Sequence, residues 1–180
     1  MKLVEDGKTH PHGEAMLQEL LFIHELVRDN LQVVRSISAD VANGAALEAI
    51  ADRMQALKSS SIVWRLRAGC IQYCHFVHGH HQHEDHLWFP TLRQLNPALH
   101  PVIDRLQRDH QMVAHLLDDV ETIAGQILEN ENARTDLVQA LNQLSAHLLA
   151  HLEYEETQLA PTLRRIQSWT MGENAADERD

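Results

Sequence analysis

One arrangement of residues occurs twice in this chain. His80 is followed four residues later by Glu84, then by Asp85, then by Pro90-Thr91-Leu92-Arg93; His151 is followed by Glu155, then Glu156, and at the same interval by Pro161-Thr162-Leu163-Arg164. Each block follows a long helical pattern with a histidine near its middle, His24 before the first and His110 before the second. The chain therefore reads as two halves, each a helix with one histidine followed by a helix with His-x-x-x-Glu. A spacing of four stacks His80 over Glu84 on one helical face, about 6 Å apart along the axis, and does the same for His151 and Glu155.

The rest of the pattern supports an all-α fold. Apolar Leu17, Leu20, Ile23, Val27, Leu31 and Val34 mark a first helix over about Glu14 to Ser38. A short amphipathic segment, about Ala45 to Leu57, leads through Ser59-Ser60-Ser61, a cap or break, into a second long helix, about Ile62 to Gln94, with Pro90 placed to bend its last turn. A third helix spans about Val102 to Leu128 and a fourth about Arg134 to Ile166. No stretch alternates with the period of two that marks a half-buried strand. Short connections favour antiparallel neighbours, so the expected architecture is an up-down-up-down four-helix bundle with a short extra helical segment between the first two long helices.

At about 100° per residue, Tyr73, Val77, Leu87 and Thr91 share the face of His80 and Glu84. Leu144, His147 and Leu148 share that of His151 and Glu155; His24 lies with Leu17, Leu20 and Leu31, and His110 with Leu106, Val113 and Leu117. Four helices thus aim histidine at one interior.

With 180 residues, 44% of them hydrophobic, the chain suits one domain, expected over 14–167, with flexible termini at 1–13 and 172–180. Fifteen basic against 26 acidic residues give a net charge of −11, which repels phosphate backbones and anionic lipid. No nucleic-acid or membrane partner is expected. Met1 to Gly7 turns acidic at once and lacks the apolar run of a signal peptide, so the location is read as cytoplasmic. Cys70 and Cys74, four apart in one helix, are read as core residues.

Six polar side chains, His24, His80, Glu84, His110, His151 and Glu155, are costly in an apolar bundle unless they satisfy one another or a cation. Two ions fit better than one: four imidazoles supply two terminal ligands to each, and Glu84 and Glu155 bridge the ions. Zinc favours a tetrahedral set, often with thiolate, which Cys70 and Cys74 are not placed to provide. Mixed nitrogen and oxygen ligation suits iron or manganese. The 14 histidines, six of them within residues 75–86, also allow a loose zinc or nickel buffer.

The segments Phe22-Ile23-His24-Glu25-Leu26, Cys74 to Asp85 with Phe89-Pro90, Arg108-Asp109-His110 and Ala150-His151-Leu152-Glu153-Tyr154-Glu155-Glu156 resemble the hemerythrin HHE cation-binding family over about Glu14 to Gln167. The resemblance implies two non-heme iron ions, oxo- or hydroxo-bridged, and a small ligand such as O2, NO or H2O2. Oxygen-carrying members use five histidines and two carboxylates. The doubled pattern supplies four, so the fifth is sought in His147, one turn before His151, or in His81 beside His80, with Tyr73 as a further ligand or hydrogen-bond donor. The implied function is a di-iron binding protein for such ligands, with a role in oxidative or nitrosative stress; the alternatives are a peroxidase- or catalase-like enzyme and the redox-inactive zinc or nickel protein. Whether the chain is an enzyme stays open at this point, and no catalytic residue is assigned.

Overall fold

The computed structural model describes residues 2–5, 7–43 and 62–168. The expected segment at Ala45–Leu57, the Ser59–Ser61 break and the tail from Gly172 lie outside them. In chain order the elements are β1 (Lys2–Leu3), α1 (Pro11–Ala42), α2 (Ile62–His83), a π-helical turn (Glu84–Trp88), α3 (Phe89–Leu95), a 3-10 turn (Pro97–Leu99), α4 (His100–Gln126), α5 (Asn132–Leu163) and β2 (Ile166–Ser168). Pro11 and Pro101 each sit in the first turn of a helix, where a missing N–H costs nothing.

The long helices pack in a ring, α1 against α2 and α5, and α4 against α2 and α5. Contacts fix their directions. Along α1, Glu14 reaches Arg164 at the C-cap of α5, and Arg28 and Arg35 reach Glu156 and Asn142 within it, so the partner's number falls as α1 advances. Between α2 and α4, His75 faces Glu121, His78 faces Asp118 and His81 stacks on His110. Both pairs are antiparallel, as the expected bundle requires. Among the described residues no helix is long and apolar enough to cross a membrane.

Two apolar clusters fill the bundle and a polar layer separates them. One gathers Val27 and Leu31 of α1, Leu66, Cys70 and Val77 of α2, Val113 and Leu117 of α4, and Leu141, Leu144 and Leu148 of α5. The other gathers Met16, Leu17 and Leu20 with Phe89, Leu92, Ile103, Leu106, Leu159 and Leu163. Full burial of one such side chain contributes about 1.5–3 kcal/mol, so the two clusters carry most of the stability. Cys70 and Cys74 are buried free thiols of the first cluster, each pushed up to about 12 by burial.

The second helix departs from the expected single phase. Its inward stripe runs Cys70, Cys74, Val77, His81 and Glu84, in steps of four and three, and then takes a step of five to Phe89 before Leu92. The Phe89 N–H bonds back to the Glu84 carbonyl across the π-helical turn. That extra residue rotates everything after Glu84 by about one position. Leu87 and Thr91, expected inside, are consequently exposed and half-buried, and Phe89 and Leu92 take the core positions. Pro90, which has no N–H to give to a regular helix, follows the turn directly.

Beside the helices, the short β1 and β2 pair antiparallel. Ahead of α1 the chain meets the end of α5 through Val4 N–H to Arg165 O (2.9 Å) and His10 N–H to Arg164 O (2.8 Å). Here α1 comes close enough that a Cβ on Gly13 would stand 2.2 Å from the Leu163 carbonyl oxygen. Backbone atoms cannot swing aside as a side-chain tip does. Gly13→Ala should therefore destabilise the protein by about 1–3 kcal/mol, read as a lowered denaturation midpoint; an unchanged midpoint would show that α1 and α5 separate there without cost.

Candidate metal centre

Each bundle helix interrupts its apolar stripe with ionisable side chains at the same level. On α1 the break is His24, between Leu20 and Val27; on α4 it is His110, between Leu106 and Val113. On α5, His151 and Glu155 lie between Leu148 and Leu159, and on α2 the break is His80, His81 and, at the start of the π-helical turn, Glu84. The structure thus brings all six residues of the doubled pattern into one layer, and adds His81.

Distances divide the layer into two groups around shared carboxylates. Glu84 Oε1 lies 3.3 Å from His80 Nε2 and 3.9 Å from His24 Nε2, and its Oε2 lies 3.5 Å from His110 Nε2. Glu155 Oε2 lies 3.5 Å from His151 Nε2 and 3.7 Å from His24 Nε2. His81 stacks on His110 with ring centroids 4.0 Å apart and meets His151 edge-on at 5.1 Å. Three sets of ligand atoms lie within 4.8 Å of one another: His24, His80 and Glu84; His81, His110 and His151; and Glu84, His110 and Glu155.

Eleven buried nitrogen and oxygen atoms of these seven side chains have no hydrogen-bond partner. Each orphaned buried polar atom costs about 1–3 kcal/mol, so left empty the layer would cancel a large share of the core's stabilisation. Two donors each about 2.1 Å from one ion stand roughly 3.0–4.2 Å apart, depending on angle. The measured separations of 3.3–3.9 Å fall in that range. The donor set fits cations.

Electrostatics prepare the layer in the same sense. Burial, reinforced by the neighbouring imidazoles, lowers His80 to about 3 and His151 to about 2, and holds His81 far below its ordinary value. His24 is lowered as well, chiefly by burial. Neutral rings can present a nitrogen lone pair. Burial raises Glu155 to about 8, and burial with the adjacent Glu155 raises Glu84 well above the carboxyl range. A cation entering the layer displaces those protons.

A second carboxylate stands behind one histidine in each half. Glu156 Oε1 accepts from His24 Nδ1 at 2.8 Å and from Arg28 at 2.8 Å. Asp85 Oδ1 lies 3.1 Å from His110 Nδ1. The residue after each glutamate of the repeat thus stands at the outer nitrogen of a histidine on a neighbouring helix, hydrogen-bonded for Glu156 and at ion-pair distance for Asp85, and Nε2 faces the layer. Such outer partners fix ring orientation and raise ligand basicity.

The three additional candidates separate cleanly. His81 is 4% exposed and inward, on the Cys74-Val77-His81-Glu84 stripe that the sequence already displays. His147 is exposed: the α5 stripe steps from Leu144 to Leu148 to His151, and position 147 falls about 100° behind it. Tyr73 is buried within the first apolar cluster, its hydroxyl unpartnered and its ionisation suppressed by burial. Histidines 75, 83, 86, 100 and 115 are exposed and His78 is half-buried, all off the layer.

The metal-free protein should show the signature of this layer in its pH dependence. Four histidines lowered from 6.5 bind protons more readily when unfolded, so stability falls as pH drops below about 6.5. Two glutamic acids raised from 4.5 bind protons more readily when folded, so their contribution is lost as pH rises towards about 8. Between 4.5 and 6.5 the four histidines outweigh the two acids. A melting-temperature maximum near pH 6.5 is expected, and a curve still rising at pH 8 would contradict protonated buried glutamates.

A family profile described as Hemerythrin HHE cation binding domain matches residues 15–163. No curated protein matches the chain, and no solved structure does. The profile covers most of the chain and spans every residue of the buried layer, and the chain belongs to the hemerythrin HHE cation-binding domain family.

Proposed function

We propose that the protein holds two non-heme iron ions and binds a small ligand of the O2, NO or H2O2 class at them. The observation that carries this reading is the position of Glu84, one oxygen turned to His24 and His80 and the other to His110. A carboxylate so placed serves two ions better than one. In this reading His24 and His80 hold one ion, His81, His110 and His151 hold the other, and Glu84 and Glu155 lie between them. His81 then supplies the fifth histidine. Nitrogen and carboxylate donors without thiolate favour iron over the softer alternatives, and the buried thiols of Cys70 and Cys74 stand in the apolar cluster instead. Bound iron supplies reversible electron transfer to the ligand; the chain's own groups hold the imidazoles neutral, orient them and keep water out.

Binding is favoured over peroxide turnover. Turnover profits from a proton donor near the ions, and neither His147 nor Tyr73 suits that role: His147 is exposed, and burial makes Tyr73 a weaker acid than an ordinary phenol.

Metal analysis of untagged protein, paired with its visible spectrum, tests the reading. About two irons per chain with the absorption of a bridged ferric pair are expected; one zinc, or no metal, would overturn it. His80→Ala and His151→Ala should lose metal and stability together, because site assembly and folding are linked, whereas His115→Ala should change neither. Asp85→Asn and Glu156→Gln should each weaken metal binding about 10–100-fold without unfolding the bundle, and unaltered affinity in both would show that the outer carboxylates do not tune the layer.

A further inference from the structure

A pocket of about 410 Å3 opens where α1 passes the π-helical turn. Met16, Leu20, Ile23 and Trp88 wall it, and His80 with the buried Glu84 closes its inner end. Neither His81, His110, His151 nor Glu155 lines it, so it meets the layer from one side alone. Both carboxylate oxygens of Glu84 and the Nε2 of His80 are buried without a hydrogen-bond partner.

The size is informative. The volume would hold about a dozen water-sized groups, far more than a diatomic molecule needs, and lies in the range of pockets that take small organic molecules. The walls are a thioether, two aliphatic chains and an indole, which suit an apolar body. No lysine or arginine lines the pocket and Glu19 does, which disfavours an anionic head in the metal-free protein, while ions held at His80 and Glu84 would repel a cationic one, so an uncharged head suits both states. An uncharged oxygen head fits: its O–H can donate to Glu84 while its lone pairs face the histidine side. His12, Glu19 and His83 also line the pocket without closing that logic, since all three are exposed and solvated.

We propose that this pocket binds a small uncharged organic molecule, an apolar body of roughly ten non-hydrogen atoms carrying one hydroxyl or hydroperoxyl head that reaches Glu84 and His80. The role of the head rests on the metal-centre reading above; the fit of the body does not. A bound guest covers the layer at His80 and Glu84 and so competes with small ligands arriving there.

The probe is 2-phenyl-2-propanol, titrated into protein labelled with 5-fluorotryptophan, with the Trp88 resonance identified through Trp88→Phe. A saturable shift of the Trp88 fluorine signal is expected in both metal-free and metal-loaded protein. Ile23→Phe, which fills the pocket, and His83→Phe, an exposed position that narrows it, should each raise the midpoint about tenfold or more. No Trp88 shift in protein that loads metal normally would overturn the proposal, as would a shift that neither variant alters. A shift in protein that takes up no metal would sustain the pocket and sink the metal-centre reading instead. Cumene hydroperoxide on the ferrous protein separates the two kinds of head. If the hydroperoxide is the natural chemistry, each O–O bond cleaved oxidises two ferrous ions, takes up two protons and leaves 2-phenyl-2-propanol and water; an alcohol pocket binds it with the ferrous ions unchanged.

Discussion

The structure turns on the cost of a polar layer set between two apolar clusters. Five imidazoles and two carboxylates meet at one level of the bundle, with most of their inner atoms unpartnered. No rearrangement of protons satisfies them all, because neutral imidazoles facing each other have too few donors, and charging them in a buried place is worse. A cation resolves the conflict by accepting every lone pair at once. The empty layer therefore weakens the bundle, while the apolar clusters above and below keep it folded and hold the donors at fixed separations.

Much of this was legible in the residues themselves. Periodicity gave four helices, and the doubled His-x-x-x-Glu marked the six side chains that the fold gathers. His81 was legible too, since Cys70, Cys74, Val77, His81 and Glu84 step by four and three, yet its adjacency to His80 drew it to the flank of the stripe. His147 shows the opposite hazard: a spacing of four from His151 places it nearby, but the stripe's centre passes through Leu148, so it faces solvent. The β1 and β2 pair is too short to show alternation.

The π-helical turn is the feature that no helical wheel anticipates. A wheel assumes one phase, and the five-residue step from Glu84 to Phe89 changes it. The change lets His81 and Glu84 face the layer while Phe89 and Leu92 face the second apolar cluster, two demands that a single phase does not meet together. Widened turns of this kind often accompany functional sites, and here the turn begins at the carboxylate shared between the two histidine groups.

The outer carboxylates tie the halves of the repeat across the chain. Asp85 serves His110, but Glu156 serves His24, and 132 residues separate that pair. Closing so long a loop is entropically slow to repay. The first and last helices must therefore be docked for His24 to hold its final orientation. A cation that enters this layer thus finds one of its donors aimed by a contact between the first and last helices of the bundle, so whatever loosens α1 from α5 also loosens the site.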